Sequence, residues 1–448
     1  MAQTVKKQYR FFIPLVSFVA ALGGLLFGLD TAVISGAIPY ITPYFKLDAN
    51  MLGWAVSCIL IGCAAGAAFA GRLADLWGRR AVLIVCSLLF AVSGIGAGLS
   101  DQLHLFIFFR ILGGLGVGAA ALVSPMYIAE IAPAHKRGRL VAFYQLAIVT
   151  GILLAYFSNY LFAGWGDNNW RWMFGIQALP AALFGLLLLC VPETPRWLIS
   201  RGKTAEAASI LEKITAPHYI QAEITAIEAS FRNVKRVSPA TLFSKKYAGV
   251  VCIGIMIAIF QQVTGINSIL YYAPVIFKET GLDNSSSLFH TIGIGLVNVI
   301  ATFIAIGVVD TVGRKKLLLG GSIVMGLSLI AIAACFHYRY FENYIVLIGV
   351  LLYVAAFGCT LGTVTWVYLS EIFPNSIRGL ALSAATLSLW IADFIVTYTF
   401  PLMTQGLGTP NTLFCYAALC FLAFFYILFR TKETRGRTLE EIELLFIK

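Results

Sequence analysis

The sequence predicts an all-α membrane protein in which twelve transmembrane helices form two parallel six-helix pseudo-repeats. Three observations carry this prediction. The 448-residue chain is 59% hydrophobic and only 12% charged, whereas a soluble domain carries about 25% charged residues. Its apolar residues fall into twelve runs, most of them at or above the ~20 residues that a membrane-spanning helix needs. Charged motifs of the first half of the chain also recur, in the same order, in the second half.

The twelve apolar runs are numbered span 1 to span 12 in chain order. Their approximate bounds are 11–36, 52–74, 81–99, 103–126, 140–162, 172–191, 248–276, 286–309, 317–336, 343–369, 379–402 and 411–430. Charged residues concentrate in the loops between the runs. These bounds predict an N-terminal bundle, a cytoplasmic linker, a C-terminal bundle and a cytoplasmic tail, which are residues 1–195, 196–247, 248–430 and 431–448.

The linker between spans 6 and 7 is polar, unlike the runs on either side of it. Within it, residues 203–214 and 219–235 carry Ala, Ile and Leu at helical spacing, with charged residues between them. This pattern is typical of amphipathic helices. We therefore expect two short helices that lie against the membrane surface rather than crossing it.

The basic residues indicate the orientation of the spans, because Lys and Arg concentrate on the cytoplasmic side of a membrane. If both termini are cytoplasmic, 27 of the 32 Lys and Arg residues lie on the cytoplasmic side and Arg110 lies inside a span. The other four lie on the external side of the membrane: Lys46, Arg171, Lys278 and Arg339. The net charge of +11 therefore reflects membrane orientation and not nucleic-acid binding. We expect a multi-pass protein of the inner (plasma) membrane.

The repeat consists of three charged motifs that recur 235, 241 and 240 residues later. The motif pairs are 71–80 with 307–315, 127–138 with 368–379, and 193–194 with 433–434. Each pair follows the same span of its half, after spans 2 and 8, 4 and 10, and 6 and 12. Two halves of equal orientation indicate a parallel-repeat transporter that holds its substrate near the membrane midplane, between the halves.

The recurring motifs place acids and bases together at cytoplasmic helix ends. We expect these residues to form salt bridges that hold the two halves closed on the inner side, although ordinary interfacial charges would also obey the positive-inside bias. Recurrence in both halves favours the salt bridges. The residues are Asp75, Arg79, Arg80, Glu130, Arg137, Glu193, Asp310, Arg314, Glu371, Arg378 and Glu433.

Three charged residues lie deep inside predicted spans: Asp30, Arg110 and Asp393. Each costs roughly 2.5–3.5 kcal/mol on insertion scales, so a lone charge there is kept only if it is paired or functional. Asp30 in span 1 and Arg110 in span 4 lie ~12 Å and ~10 Å below the same surface, so they can meet. Because Asp can release a proton and Arg cannot, the pair predicts a proton site with its counter-charge. A static structural ion pair is the alternative.

Several motifs together resemble the sugar porter family of the major facilitator superfamily, and the match runs along the whole chain. The motifs are the charged run 71–80, Pro192-Glu193-Thr194-Pro195-Arg196-Trp197-Leu198, Gln261-Gln262-Val-Thr-Gly265-Ile-Asn267, Tyr271-Tyr272-Ala-Pro274 and Glu433-Thr434-Arg-Gly436. The resemblance implies the major facilitator fold and monosaccharide transport, with a xylose-like pentose or a hexose as substrate. An acid at the position of Asp30 resembles the proton-coupled members, whereas facilitative relatives carry an amide there.

We therefore expect a proton-coupled symporter that works by alternating access and not an enzyme. Its partners would be a small-molecule sugar, protons and the lipid bilayer, with no nucleic acid, no cofactor and no metal, and the monomer would be functional. Two alternatives remain open. The protein could be a facilitative sugar or polyol uniporter in which Asp30 is structural, or a sugar sensor that does not transport.

A sugar presents a ring of hydroxyls, which calls for amides that both donate and accept, and for aromatic rings to stack on. Buried amides occur in spans 5, 7 and 8. By resemblance, the sugar site would be formed by Gln145, Gln261, Gln262, Asn267, Tyr271, Asn298, Trp366 and Trp390, with Phe27 as a weaker candidate. For any single amide, hydrogen bonding between helices is the alternative.

Two positions depart from the pattern of the xylose-type members. Asp393 follows Trp390 by one turn, where that pattern has Asn, and three roles stay open for it: binding substrate, titrating as a second acid, or remaining a buried protonated acid. Span 10 lacks the Gly-Pro that many sugar porters carry before the Trp, so its bend is not predicted. The small residues at 62–66 and 114–118 are interpreted as close helix packing and not as a dinucleotide loop.

Overall fold

The computed structural model describes residues 2–133, 137–232, 238–374 and 376–446 of the chain. Their regular structure is α-helical, with short 3₁₀ turns. Within these residues, twelve helical segments are long and apolar enough to cross a membrane, which confirms the twelve predicted spans. The helices run several residues past the predicted bounds, since polar and proline-containing turns continue them beyond their apolar centres. Span 1, for example, continues through Pro39 and Pro43 to Tyr44.

Within the described ranges, nine spans are single helices and three are split. Spans 1–5, 8, 9, 11 and 12 are Ala2–Tyr44, Ala49–Trp77, Arg79–Leu99, Leu103–Ile131, Arg137–Phe162, Asn284–Val312, Arg314–Tyr338, Arg378–Leu407 and Thr409–Arg430. Span 6 consists of Asn169–Gly175 and Ala178–Cys190, span 7 of Ala248–Val263 and Ile266–Glu279, and span 10 of Ile345–Cys359 and Leu361–Ile372. Shorter helices lie outside the spans, at Pro195–Ser200, Thr204–Leu211, Ile220–Arg232 and Leu439–Phe446.

The linker helices form a small core of their own. Thr204–Leu211 and Ile220–Arg232 fall in the two stretches predicted as amphipathic, and residues 233–235 of the second stretch lie outside the described residues. The helices bury a cluster made of Leu198, Ile199, Ala207, Ile210, Leu211 and Ile224, which is separate from the main core. The linker is therefore a folded layer with its own apolar contacts.

Glycines let the helices of the first half approach to backbone contact. A Cβ on Gly114 of span 4 would lie 2.0 Å from the Ile59 carbonyl oxygen of span 2, and one on Gly118 would lie 2.0 Å from that of Cys63. No larger side chain fits at such distances. The interpretation of these small residues as close helix packing is therefore confirmed, and it accounts for the dense contact between spans 2 and 4.

Span 7 breaks at Thr264 and Gly265. Gly265 adopts φ 93°, a left-handed conformation that favours glycine, and a Cβ there would also meet the Tyr416 ring. Around the break, the carbonyl of Thr264 accepts a hydrogen bond from the Tyr353 hydroxyl at 2.9 Å. The break is thus stabilised by a side chain of span 10, and it ends one helix and begins another in mid-membrane.

Span 10 breaks at Thr360, which has φ −131° and ψ −95°. The hydroxyl of Thr360 donates to the carbonyl of Ala356, and the amide of Gln261 donates to the carbonyls of Leu361 and Gly362 at 3.0 and 3.3 Å. Side chains therefore satisfy the carbonyls around the break. In this chain a threonine stands at the interruption of span 10, and no proline is needed.

The two halves contact each other closely at the membrane face opposite the chain termini. Here spans 2 and 11 pack together, with Asn50 hydrogen-bonded to Tyr398 and Trp54 edge-on to Phe394 at 6.0 Å. A Cβ on Gly53 would lie 2.4 Å from the Tyr398 carbonyl oxygen. This opposite face is therefore closed by direct contact between the halves.

Candidate transport site

The acid of span 1 and the base of span 4 form a buried ion pair. Nη1 of Arg110 donates to Oδ1 of Asp30 at 2.9 Å and to the backbone carbonyl of Asp30 at 2.9 Å. Their side chains are 0% and 2% exposed. The ring of Phe174 in span 6 lies 5.4 Å from the Arg110 guanidinium carbon, within cation–π range. The structure therefore brings together the two residues that the depth estimate placed at one level.

The Asp30–Arg110 pair is tightly packed, but some of its polar atoms lack hydrogen-bond partners among the described residues. A Cβ on Gly113 would lie 2.7 Å from Oδ2 of Asp30 and 2.3 Å from the Ser93 hydroxyl, so only glycine fits beside the pair. Within the described residues, Oδ2 of Asp30 and both Nε and Nη2 of Arg110 have no hydrogen-bond partner. One carboxylate oxygen of Asp30 thus contacts the counter-charge, and the other has no hydrogen-bond partner among the described residues.

A second polar cluster lies in the second half, next to the break of span 7. Nδ2 of Asn267 donates both to Oε1 of Gln262 at 3.0 Å and to Oδ2 of Asp393 at 2.7 Å. The hydroxyl of Thr397 donates to Oδ1 of Asp393 at 3.2 Å. The break at Gly265 places Gln262 and Asn267 side by side although they belong to different helices.

Gln261 has a different environment from its neighbour Gln262. It is 3% exposed, and its Nε2 donates to the backbone carbonyls at the break of span 10. The adjacent amides therefore diverge, as helical geometry requires, and Gln261 supports span 10. Asn298 of span 8 is also buried, with its Oδ1 3.1 Å from where a Cβ on Gly358 would lie.

Two aromatic rings meet between the halves. The ring of Phe27 in span 1 lies 5.9 Å from that of Trp390 in span 11, and Trp390 is 5% exposed with no partner for its ring nitrogen among the described residues. Phe27, the weaker candidate for the sugar site, thus directly contacts Trp390, a stronger candidate. Elsewhere, Tyr271 is buried on span 7 and Gln145 is half-buried on span 5. Trp366 of span 10 is 36% exposed.

Thr397 and Thr360 contribute to these networks but were not predicted from the sequence. Thr397 donates to Asp393 from one turn further along span 11, and Thr360 marks the break of span 10. The spacing of four residues between Asp393 and Thr397 was a usable signal, because such pairs share a helix face. Nothing comparable marks Thr360 in the sequence.

At the face that carries the chain termini, the repeated motifs form equivalent ion pairs. In the first half, Arg79 contacts Asp75 at 3.1 Å and Glu130 at 3.0 Å. In the second half, Arg314 contacts Asp310 at 2.9 Å and Glu371 at 2.8 Å. Each set lies within one half. Among the described residues, these motifs make no salt bridge that joins the halves, so the expected clamp is not formed in this conformation.

The remaining acids of the repeated motifs, Glu193 and Glu433, accept hydrogen bonds from backbone N–H groups at helix N-termini, one in each half. Glu193 accepts the backbone N–H of Arg80 at 2.9 Å, and Glu433 accepts those of Arg314 and Lys315 at 2.9 and 3.1 Å. The carboxylates therefore cap the N-termini of spans 3 and 9. The guanidinium of Arg378 donates to the carbonyl of its near neighbour in sequence, Phe373. The side chain of Arg137 lies outside the described residues.

Twelve spans in two repeated halves, with a buried polar cluster in each, define a membrane transporter of the major facilitator type and not an enzyme. A family model described as "Sugar (and other) transporter" matches residues 16–446. The chain therefore belongs to the sugar transporter family.

Named relatives and solved structures agree with this assignment. The D-xylose-proton symporter of Escherichia coli (strain K12) is 39% identical, with 96% of this chain and 95% of that protein aligned. The arabinose-proton symporter of Bacillus subtilis (strain 168) is 40% identical over 98% of this chain and 96% of that protein. The inward-open conformation of the xylose transporter XylE from E. coli matches with TM-score 0.87 and 38% identity, covering 97% of this chain and all of that one.

Proposed function

We propose that this protein is a proton-coupled symporter that carries a monosaccharide, a pentose such as xylose or a hexose, by alternating access between its two halves. The observation that carries the proposal is the buried Asp30–Arg110 pair, in a chain whose relatives are named as proton symporters of xylose and arabinose. A solute carrier that only equilibrates its substrate has no need of a titratable group in mid-membrane.

In this proposal Asp30 binds the transported proton and Arg110 is its counter-charge. The guanidinium keeps its charge throughout, and its attraction for the ionised acid is lost when the two side chains separate. When the contact opens, the isolated carboxylate in an apolar setting takes up a proton. Oδ2 of Asp30, which has no partner among the described residues, is the atom that accepts it.

The sugar would bind between the halves, next to Gln262 and Asn267. These amides lie at the break of span 7 and offer donors and acceptors together. The rings of Phe27 and Trp390 supply apolar faces from both halves. The remaining candidates that we propose for this site are Gln145, Gln261, Tyr271, Asn298, Trp366 and Asp393.

We further propose that both termini are cytoplasmic, that the bundles and linker have the bounds predicted from sequence, and that the monomer transports. The distribution of Lys and Arg supports the orientation. With that orientation, the closed opposite face is the outer one, so the structure is inward-facing, in keeping with its likeness to the inward-open relative. The motif ion pairs would then stabilise the helix ends of each half here and meet across the halves only in the outward-facing state.

The test uses purified protein in liposomes with a weakly buffered medium. Adding D-xylose, L-arabinose or D-glucose outside should raise the external pH for whichever sugar is carried, and uphill accumulation should follow an imposed proton gradient. Asp30→Asn should abolish accumulation, bringing the internal to external ratio to about 1, while exchange of labelled sugar stays within about tenfold of the original rate.

Asp167→Asn, the same substitution at an exposed loop position, is the matched control and should retain full accumulation. Sugar entry without any pH change would identify a uniporter and contradict the proposal. Absence of both uptake and counterflow for every sugar, from a folded protein that binds sugar, would identify a sensor. Equal loss of accumulation and exchange in Asp30→Asn would remove the evidence that Asp30 couples the proton.

A further inference from the structure

Asp393 differs from Asp30 in having no counter-charge. It is 1% exposed, and within the described residues no Lys, Arg or His side chain lies within salt-bridge distance of it. Its contacts are the amide of Asn267 at 2.7 Å and the hydroxyl of Thr397 at 3.2 Å. An ionised carboxylate held only by neutral donors in a membrane interior is unfavourable. The neutral acid is therefore the form that this environment prefers.

The groups that face Asp393 from the neighbouring spans do not change this conclusion. Cys63 of span 2 and Tyr271 of span 7 lie within electrostatic range of Asp393. The hydroxyls of Tyr272 and Tyr416 donate to the backbone carbonyls of residues 397 and 396, which lie on span 11 with Asp393. Thiols and phenols are neutral near pH 7. No cation therefore stabilises the ionised acid from these elements.

A protonated aspartic acid has the shape and hydrogen-bonding pattern of asparagine, with one accepting oxygen and one donating group. In that form Oδ2 of Asp393 can accept from Asn267 while the acid proton on Oδ1 points to the hydroxyl oxygen of Thr397. When the proton leaves, both oxygens become acceptors. The carboxylate then draws the amide protons of Asn267 towards itself, since hydrogen bonds to charged groups are roughly twice as strong.

Asn267 is the link between this proton and the sugar. Its Nδ2 carries two protons, of which one is donated to Gln262 and one to Asp393, and both amides belong to the proposed sugar site. An ionised Asp393 binds its proton of Asn267 more strongly and draws the amide towards itself, which weakens the bond to Gln262 and removes a donor from sugar hydroxyls. Sugar binding should then be favoured by the protonated form, whichever state Asp30 is in.

We propose that Asp393 is a second proton-binding residue, located in the sugar site itself, and that its protonation sets the affinity of the site for sugar. This inference rests on the proposed function, because it assumes that Gln262 and Asn267 hold the sugar. It assigns Asp393 a positioning role through Asn267, separate from the coupling role of Asp30. Affinity would follow pH even in a protein that can no longer couple transport to the proton gradient.

The experiment measures equilibrium binding of radiolabelled D-xylose, with D-glucose in parallel, to detergent-purified full-length protein between pH 5.5 and 8.5. Asp30→Asn is the background, which removes the proposed coupling site. In this background the Kd should rise about tenfold per pH unit above a midpoint, as a single linked proton requires. Asp30→Asn/Asp393→Asn should bind with a Kd that stays within about twofold across the range and near the low-pH value, because Asn imitates the protonated acid.

Thr397→Val in the same background keeps the acid but removes one donor to the carboxylate, so the midpoint should move to higher pH. That shift gives a second readout if the double variant is poorly folded. An unchanged pH profile after Asp393→Asn, a flat profile in Asp30→Asn alone, or an unmoved midpoint in Thr397→Val would each overturn the inference. Failure of the proposed function looks different: in liposomes the unsubstituted protein would then take up sugar without any pH change, or take up none, whatever the pH profile of binding.

Discussion

Each half of the molecule holds one acid in mid-membrane, and the two acids have opposite environments. Asp30 contacts the guanidinium of Arg110 in a pair that is almost fully buried. Asp393 is equally buried but contacts only an amide and a hydroxyl. At the terminal face, by contrast, the halves match closely, since Arg79 and Arg314 make equivalent contacts.

This difference separates the parts of the repeat that form the framework from the mid-membrane residues that we propose for the proton and the sugar. The terminal-face motifs cap helices and pair charges in the same way in both halves, so they belong to the framework. The mid-membrane residues differ because one half holds a charge pair and the other a neutral network around two broken helices. A buried acid with a cation and one without should respond differently to substitution.

The largest effect should come from Arg110→Gln, which leaves Asp30 buried without its counter-charge. Breaking a buried pair in this way typically costs about 3–5 kcal/mol, so we expect a markedly lower thermal unfolding temperature in detergent and no uphill uptake. Asp30→Asn/Arg110→Gln should recover much of the stability.

Asp393→Asn should cost under about 1 kcal/mol, since no charge loses a partner. Similar losses for Arg110→Gln and Asp393→Asn would erase the contrast between the halves.

A smaller effect is expected from Gln262→Ala, which acts on the neutral network alone. Removal of this amide leaves sugar hydroxyls and Asn267 without a partner, and an unpaired buried group costs about 1–3 kcal/mol, or roughly tenfold to a hundredfold in Kd. Equilibrium sugar binding measures it. Gln221→Ala, at an exposed position of the linker, is the control. A normal Kd in Gln262→Ala would place the sugar elsewhere.

The smallest effect concerns the two capping carboxylates of the framework. Burial raises the pKa of Glu193 above its usual 4.5, and the backbone N–H donors of Thr194 and Arg80 do not offset it. Burial also raises the pKa of Glu433, but four backbone N–H donors outweigh it, and the pKa lies below the usual 4.5; the donors belong to Arg435, Arg314, Lys315 and Thr434. The ionised form is therefore favoured by folding at Glu433 and disfavoured at Glu193.

By linkage, Glu433 adds stability above about pH 4.5 that is lost as the pH falls through its lowered pKa. The ionised Glu193 instead reduces stability above that pH. Glu433→Gln should therefore lower the unfolding temperature at pH 7 and less so at pH 4, whereas Glu193→Gln should leave it unchanged or higher at pH 7. Thermal scans at both pH values measure the difference, and a larger loss for Glu193→Gln would contradict the assignment.

Much of this architecture can be predicted from sequence, because hydropathy fixes the twelve spans and depth along a helix brings Asp30 and Arg110 to one level. The spacing of four residues also shows the pairs of Arg79 with Asp75 and of Arg314 with Asp310. Their contacts with Glu130 and Glu371 could not be predicted, since a motif does not show which other helix it meets in a given conformation. The contact between Gln262 and Asn267 could not be predicted from their spacing, because positions five residues apart differ by about 140° on a continuous helix, and it is the break at Gly265 that brings them together. The break at Thr360 has no sequence signal, because it depends on contacts with span 7.

Both members of the Asp30–Arg110 pair belong to the same half, and this has a consequence for timing. Spans 1 and 4 pack directly against each other at the pair, since a Cβ on Gly113 of span 4 would lie 2.7 Å from Oδ2 of Asp30. A swing of one half against the other thus leaves the pair intact, and only rotation of the two side chains opens it. Such rotations are local, whereas the swing of the halves is a collective motion of helices that takes microseconds to milliseconds. The proton and the bundles would then move in separate steps of the cycle.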